Sequence, residues 1–374
     1  MTRRTLVLWL VTLAMVAVGL SLCVTKFRSN LVEEVPLAGP PSAIESHIEQ
    51  VQVVRLDTFT GMPVADDEEL VYIGIVVENS PAARPVSGVE DAALVYEVPA
   101  EGGITRLLAL FSIVPRVPVG PVRSIRPYII DLAEAHGVPV AFCGGSPAAL
   151  AMIKQMNYPA VNELVRPAGF FRDSARRAPH NLYASPDALM KRITGAGFAT
   201  DSGRTGFAYD TVAAIVTGVG VTGPGGTSIG AGSGVDGTDS ANLTRLAQGI
   251  SARMGVNYTV SWAYSAESGA YLRSINGKPD VDRSGEHRLT AENVIVVFAR
   301  TRVLDDEGRL AVELEGSGKA VVLSRGGITE ARWERAAGQP LRVVTEDGSS
   351  VPLCPGRTWV HVVDQATRLN VVEG

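Results

Sequence analysis

Between Thr217 and Ser240 the chain consists mainly of glycine, serine, threonine and valine, and it includes the run Gly-Pro-Gly-Gly-Thr-Ser-Ile-Gly. This composition supplies too few apolar side chains to form a core, so residues 216–240 are predicted to be a flexible linker or a long insertion. The segment divides the 374-residue chain into two parts, each long enough to bury its own core. We therefore expect a domain boundary near it.

The part before this linker alternates between strand and helix patterns. Proline at the first helical position and a following glycine mark helices, and β-branched apolar runs mark buried strands. These patterns predict a layered α/β domain with a mixed sheet over residues 68–215. The predicted strands are 70–77, 92–98, 104–114 and 138–143, and the predicted helices are 127–135, 147–156 and 186–193.

The part after the linker reads mainly as strands separated by short turns. Asn276-Gly277, Glu346-Asp347-Gly348 and Pro355-Gly356 are typical turn sequences. Residues 241–365 are therefore predicted to form a β-rich domain, and the fold class of the whole chain is α+β. Three tryptophans on predicted strands are expected in the core, with their indole N–H groups bonded to carbonyls; they are Trp262, Trp333 and Trp359.

The N-terminal residues 1–25 contain an uncharged apolar stretch, residues 5–24, preceded by Arg3 and Arg4. A helix of this length spans the roughly 30 Å hydrocarbon core of a membrane. We expect a single-pass anchor with the bulk of the chain extracytoplasmic, followed by a tether over residues 26–67. Cleavage of this segment as a signal, or lipidation at Cys23, remains an alternative.

Composition excludes several classes of function. A net charge of −5 gives no electrostatic support for nucleic-acid binding. With five histidines and no Cys-x-x-Cys spacing, the sequence predicts neither a metal site nor a cofactor. Cys143 and Cys354 are expected to be free thiols, although an extracytoplasmic location would permit their pairing.

Two glycine-rich turns, at residues 101–103 and 120–121, carry arginines that an ordinary loop does not need. Guanidinium groups bind phosphate and carboxylate through paired hydrogen bonds, so a cationic pocket is one interpretation. The alternative is that these arginines pair with nearby acids and hold the domain together. The candidate ligand-binding arginines are Arg106, Arg123, Arg126 and Arg176, with Arg172 and Arg177 close in sequence.

Gly144, Gly145 and Ser146 connect a predicted strand to a predicted helix. The positive end of a helix dipole and free backbone amides at such a junction favour an anion. The junction lacks the lysine of a phosphate-binding loop, and Pro147 after the serine argues against a nucleophile. We expect Ser146 to cap the helix.

His180 follows Pro179 and precedes Asn181, which is its natural partner or a turn residue. Histidine titrates near neutrality and could act as a general base. Asp173 or Glu101 could then complete an acid/base pair, so these three residues are the catalytic candidates. A purely structural role for the histidine is the other interpretation.

At these residues the chain resembles the YerB-like family, whose members are classed as bacterial lipoproteins with two consecutive domains of unknown function. The resemblance implies a two-domain α+β architecture with a membrane-attached N-terminus. It covers residues 68–365 apart from the glycine-rich segment. The matching strings are Ala83–Gly88, Val95–Glu97, Ala100–Arg106, Gly120–Tyr128, Gly144–Pro147, Ala178–Tyr183, Tyr271–Arg273, Asn293–Val296, Gly316–Ala320 and Gly356–Trp359.

Three functions remain open from the sequence. The first is the binding of an anionic cell-envelope component, such as a phosphate- or carboxylate-bearing cell-wall ligand, in an arginine-rich cleft. The second is a cell-envelope hydrolase that uses His180, and the third is a protein–protein scaffold built on the β-rich part. Whether the protein is an enzyme is not decided by these patterns.

Overall fold

The computed structural model describes residues 54–210, 245–285 and 287–373. The predicted anchor, most of the predicted tether and the linker at 216–240 lie outside these residues, as does Cys23. Among the helices of the described ranges, none combines the length and the apolar character of a membrane span. The described residues form one compact unit.

The described residues contain three α-helices, and each begins with a proline at its first position as the sequence predicted. Helix α2 is capped by Ser146, whose hydroxyl accepts a hydrogen bond from the amide of Ala149. The α-helices are α1 (Pro127–His136), α2 (Pro147–Met156) and α3 (Pro186–Gly195). Two short 3-10 helices are Val89–Asp91 and Glu101–Gly103.

Strands dominate both parts of the chain. The first part contains β1 (Ile73–Glu78), β2 (Leu94–Ala100), β3 (Ile104–Phe111), β4 (Val140–Phe142), β5 (Ala160–Asn162), β6 (Phe170–Arg172), β7 (Leu182–Ala184) and β8 (Ala208–Tyr209). The second part begins with β9 (Arg245–Gly255), β10 (Tyr258–Ser265), β11 (Ala270–Ile275), β12 (Lys278–Pro279), β13 (Thr290–Ala291), β14 (Asn293–Ala299) and β15 (Thr301–Val303). It continues with β16 (Leu310–Val312), β17 (Gly316–Ser324), β18 (Gly327–Arg335), β19 (Arg342–Val344), β20 (Pro352–Leu353), β21 (Thr358–Asp364) and β22 (Leu369–Glu373).

One mixed sheet of sixteen strands runs through the described residues. Thirteen of them follow the order β12-β11-β10-β9-β18-β17-β14-β21-β2-β3-β1-β4-β5, and the other three are β13, which pairs with β11, β19, which pairs with β18, and β22, which pairs with β9. The two parts of the chain meet where β2 pairs in parallel with β21. The architecture is therefore α+β with few helices and a β-rich C-terminal part. That residues 68–215 and 241–365 are separate domains remains a prediction.

Apolar side chains cover both faces of this sheet. One face carries Leu94, Tyr96 and Leu108 and packs against helix α1. The other face carries Val95 and Leu107 and packs against helix α3 and strands of the C-terminal part. Because side chains alternate along a strand, neighbouring residues of β2 and β3 contribute to different faces, and this alternation separates the two polar clusters described below.

The packed structure begins ahead of the predicted boundary at residue 68. Phe59 is fully buried in the core, and its ring packs edge-on against Tyr72 with 4.9 Å between the ring centroids. The buried carboxylate of Asp57 accepts hydrogen bonds from the hydroxyls of Thr60 and Ser112, each at 2.7 Å. These contacts fasten the segment before β1 to the sheet.

Candidate functional site

The first glycine-rich turn joins β2 to β3 and orients the carboxylate of Glu101. Gly102 and Gly103 have φ angles of 74° and 69°, a left-handed conformation that glycine adopts most readily. Arg126, at the start of α1, donates to both oxygens of Glu101, at 2.5 and 2.8 Å. Both side chains are more than four-fifths buried, so this paired contact holds the guanidinium in one orientation.

Arg106 on β3 joins the same carboxylate. Its Nη1 lies 3.4 Å from Oε2 of Glu101, while its buried Nε has no partner among the described residues. Burial and the charge of Arg126 lower the pKa of Arg106. Burial would raise the pKa of Glu101, but the hydrogen bond from Arg126 and the charges of both arginines hold it below its usual value. Glu101 is therefore ionised between two cations.

A second carboxylate, Glu78, lies at the end of β1 directly opposite Arg106 on β3. Arg123 Nε lies 2.8 Å from one oxygen of Glu78, and His180 Nδ1 lies 2.9 Å from both oxygens. Burial would raise the pKa of Glu78, but hydrogen bonds from His180 and Ser80 and the charge of Arg123 lower it. An ionised carboxylate only accepts hydrogen bonds. The N–H of the neutral His180 ring is therefore at Nδ1 and donates to Glu78, and Nε2 is the nitrogen that can accept a hydrogen bond or a proton.

The catalytic candidates His180, Asp173 and Glu101 do not form the predicted pairs. His180 contacts Glu78, which the sequence analysis did not select, rather than Asp173 or Glu101. Asp173 binds Arg283 at 2.6 Å, and Glu101 is occupied by Arg126. The pairing of β1 with β3 places Glu78 beside Arg106, but the approach of His180 depends on tertiary packing across more than a hundred residues.

A cleft of about 350 Å³ opens beside these charges. Three of the matching strings line it, namely Ala100–Arg106, Gly120–Tyr128 and Gly144–Pro147. The turn that joins β15 to β16 also lines it, and this turn was not predicted as part of a site. Its lining residues are Glu101, Ser124, Arg126, Gly145, Ser146, Pro147, Glu307 and Arg309. Arg126 and Arg309 therefore line the cleft together with the N-terminus of helix α2. Arg309 is also paired with Asp305 and Glu307 of its own turn.

The glycine junction before α2 uses most of its amides internally. The amide of Gly144 donates to the side chain of Asn162 at 2.8 Å, and that of Ser146 donates to the carbonyl of Ile125. A Cβ atom at Gly145 would lie 3.0 Å from Ile125, so a close backbone approach explains this glycine. What the junction offers the cleft is the positive end of the helix rather than a set of free amides.

Arg176 and Asn181 do not join the cleft. Arg176 donates to the carbonyls of Ala82, Arg84 and Pro85 and so fixes the loop that follows β1. Asn181 accepts a hydrogen bond from Arg172 and donates to the carbonyl of Asp173, which makes it a turn residue. Cys143 and Cys354 are both free and half-buried.

On the opposite face of the sheet lies a polar network centred on Glu97, which is fully buried. Its carboxylate accepts hydrogen bonds from Arg273 at 2.7 Å and from the Tyr258 hydroxyl at 2.5 Å. Glu97 belongs to the first part of the chain and both donors to the second, so the network joins the two parts. Further donors to this carboxylate are Thr105, Asn79 and Trp359.

Arg273 also binds the buried Asp280, so one guanidinium serves two carboxylates in this network. The Trp262 indole donates to Nε2 of His361 at 2.8 Å, so the proton of the neutral ring is on Nδ1, 3.4 Å from Glu97. Burial lowers the pKa of His361 to about 4. Burial would raise the pKa of Glu97, but the charge of Arg273, the protonated form that His361 takes at low pH and the surrounding hydrogen bonds lower it to about 2.

The tryptophans were expected to bond to carbonyls, and only Trp333 does so, at 2.9 Å from the carbonyl of Phe298. Trp262 and Trp359 donate instead to His361 and Glu97 of the buried network. All three lie in the core as predicted. The difference arises because an ionised carboxylate and an imidazole nitrogen occupy the place of backbone carbonyls.

Two family descriptions match this chain. "Protein of unknown function (DUF3048) N-terminal domain" matches residues 59–199, and "Protein of unknown function (DUF3048) C-terminal domain" matches residues 250–360. The chain is similar to "Putative lipoprotein YerB" of Bacillus subtilis (strain 168), with 29% identity over 303 residues, 81% of this chain and 84% of that protein. The crystal structure of YerB protein from Bacillus subtilis matches with a TM-score of 0.70 and 26% identity, over 84% of this chain and 99% of that one. The chain therefore belongs to the DUF3048 family, as its resemblance to YerB-like proteins indicated.

Proposed function

We propose that this protein is an extracytoplasmic, membrane-attached binding protein whose cleft beside Arg126 holds an anionic group of the cell envelope. The location is supported by the relative named as a lipoprotein and by the apolar N-terminal segment of the sequence. The observation that carries the binding proposal is that Arg126 and Arg309 line one cleft together with the N-terminus of α2.

Charge counting supports an anion as the ligand. Arg106, Arg123 and Arg126 surround two carboxylates, Glu78 and Glu101, which leaves this cluster with a surplus of one positive charge. Of the cluster, Glu101 and Arg126 line the cleft, where Glu307 pairs with Arg309. The carboxylates also fix the guanidinium groups in place before any ligand arrives, and this reduces the entropy lost on binding. Arg106 adds a buried Nε with no partner in the described residues.

The proposal is tested by isothermal titration calorimetry with two simple probes, glycerol 3-phosphate for phosphate groups and N-acetylmuramic acid for carboxylates. We expect one of them to bind the wild type and to bind the Arg126→Met variant about tenfold or more weakly, because a contact between charged groups contributes about 1.5–3 kcal/mol. The matched control is Arg332→Met, since Arg332 is an exposed arginine paired with Glu334 and lies five strands away from β3. Equal affinity in all three proteins would overturn the proposal.

A second candidate function is hydrolysis, and the contact between His180 and Glu78 favours it specifically. A buried carboxylate that orients one ring nitrogen leaves the other nitrogen to act as general base. The His180 side chain is 26% exposed, so Nε2 can reach solvent and a substrate. No such specific contact favours the scaffold alternative, because the strand at the β-rich end of the sheet, β12, is two residues long and contains Pro279.

The hydrolase candidate is tested with p-nitrophenyl acetate and p-nitrophenyl phosphate. If it is correct, the wild type hydrolyses one of them and His180→Asn loses that activity, while Glu78→Gln is impaired with a shifted pH profile. An inactive wild type, or a His180→Asn variant with full activity, would remove this candidate.

A further inference from the structure

A second cavity, of about 370 Å³, lies at the junction of the two parts of the chain, beside the hairpin of β6 and β7. It is lined by Phe171 and Tyr183 from the hairpin, by Asp173 just after β6, and by Arg283 and Ser284 from the C-terminal part. Its size falls within the range of small-ligand sites, about 300–1,000 Å³. Among the predicted site residues only Asp173 belongs to it.

The cavity contains a fixed aromatic platform. The Phe171 ring stacks on the Tyr183 ring with 5.9 Å between the ring centroids and 26° between the planes. Tyr183 is buried, and its hydroxyl accepts hydrogen bonds from Arg176 at 2.9 Å and from Arg283 at 3.2 Å. Phe171 itself is 42% exposed. The Phe171 ring is therefore supported by Tyr183 and remains accessible from the cavity.

Polar groups at the edge of this platform carry no surplus charge. Asp173 and Arg283 pair at 2.6 Å, and the ionised carboxylate retains lone pairs that can accept from hydroxyl groups. The guanidinium has five N–H donors, of which these contacts occupy only part. The Ser284 hydroxyl, which donates to Asp282 at 2.6 Å, can accept a further hydrogen bond.

We propose that this cavity binds a pyranose ring of a neutral glycan. The C–H face of the sugar would pack on the Phe171 ring, and its hydroxyls would bond to Asp173 and Arg283. An aromatic surface next to a neutral ion pair suits a ligand that is apolar on one side, rich in hydroxyls at its edge and uncharged. The arginine cleft differs because two arginines and the N-terminus of α2 line it and no aromatic side chain does. This inference does not depend on the proposed function, since the two sites share no lining residue.

The probe is chitotetraose, followed by saturation-transfer NMR and isothermal titration calorimetry with the full chain. We expect binding to the wild type, retention in Phe171→Tyr, and at least about tenfold loss in Phe171→Ala, equivalent to ~1.4 kcal/mol. Asp173→Asn should also weaken binding, because it removes the charge that orients Arg283. Phe171 is well exposed, so its replacement leaves the fold intact, which circular dichroism verifies.

Two controls make the result specific. Met62→Ala removes another exposed apolar side chain, 45% exposed, and should not change the affinity for chitotetraose. Arg126→Met should not change it either, and this separates the result from the test of the arginine cleft. No binding to the wild type, or unchanged binding to Phe171→Ala, would overturn the inference. Loss of binding in Arg126→Met would assign the glycan to the other cleft and overturn it as well.

Discussion

Two clusters of arginine, glutamate and histidine lie on opposite faces of the same strands, yet their surroundings differ. Glu97 and Arg273 are completely enclosed at the junction of the two parts of the chain, at 0% and 1% side-chain exposure. Glu78, Arg123 and His180 use the same kinds of side chain, but those of Arg123 and His180 remain about one-quarter exposed. The Glu97 and Arg273 side chains contact only protein groups, whereas the Arg123 and His180 side chains also contact solvent.

This comparison shows why residue type alone does not identify a binding site. A buried ion pair that loses one partner leaves a charge without solvation, so such a pair is tied to the integrity of the fold. A partly exposed arginine that loses its partner is solvated by water and costs little. We therefore expect the network around Glu97 to maintain the fold, and the cluster that contains Arg123 and Arg126 remains the proposed ligand-binding region.

The largest effect is expected from breaking the buried pair. Arg273→Met leaves the Glu97 carboxylate buried with fewer partners and should lower the free energy of unfolding by about 3–5 kcal/mol. Urea denaturation followed by circular dichroism measures this loss. The double variant Glu97→Gln, Arg273→Met should recover part of the stability, since it removes the Glu97 charge and leaves only Asp280 without its arginine. A loss under about 1 kcal/mol for Arg273→Met would contradict the assignment of this network to the fold.

The next largest effect concerns pH. Burial lowers the pKa of His136 and of His361 to about 4 each, below the value of about 6.5 for an unfolded chain. Between these values the unfolded state binds protons that the folded state does not bind. Stability should therefore decrease as the pH falls from about 6.5 to about 4, by up to ~3 kcal/mol for each histidine.

Thermal unfolding at a series of pH values tests this dependence. His361→Gln should have a shallower slope between pH 6.5 and 4 than the wild type. The lowered pKa of Glu97 adds a further loss only at lower pH, from about 4.5 to about 2, so the two contributions separate on the pH axis. Equal slopes for the wild type and His361→Gln would show that His361 titrates normally in the folded protein.

A smaller effect is expected at the cap of α2. Ser146→Ala removes the hydrogen bond to the amide of Ala149 and should cost about 1 kcal/mol of unfolding free energy. Ser185 precedes α3 at the equivalent position but makes no capping bond with its side chain, so Ser185→Ala is a matched control with a loss under ~0.5 kcal/mol. If both variants lost the same amount, the cap of α2 would have no special role.

Local sequence signals predicted the regular elements of this fold well. Proline at the first helical position located α1, α2 and α3, and β-branched runs located β1, β2, β3 and β4 to within three residues at each end. Strand β9 was not predicted, although it pairs with β10 and β22. Its sequence, Arg-Leu-Ala-Gln-Gly-Ile-Ser-Ala-Arg-Met-Gly, has few β-branched residues, so its extended conformation is set by its neighbours in the sheet.

The candidate sites show the same limit more sharply. The sequence grouped Arg126 with the glycine turns because these motifs are rich in local signals, and the structure brings them to one cleft. It could not pair His180 with Glu78, or Glu97 with Arg273, because those contacts join residues 102 and 176 positions apart. Partners at such separations depend on which strands are adjacent, and no local pattern encodes that.

The most direct test of the division between fold maintenance and binding is a titration of glycerol 3-phosphate into the double variant Arg123→Met, Arg126→Met. We expect its unfolding free energy to stay within about 1–2 kcal/mol of the wild type, because Glu101 keeps Arg106 and Glu78 keeps His180 as partners, while its affinity falls more than about tenfold. Unchanged affinity in a stable double variant would contradict the account. So would a loss of stability as large as that of Arg273→Met.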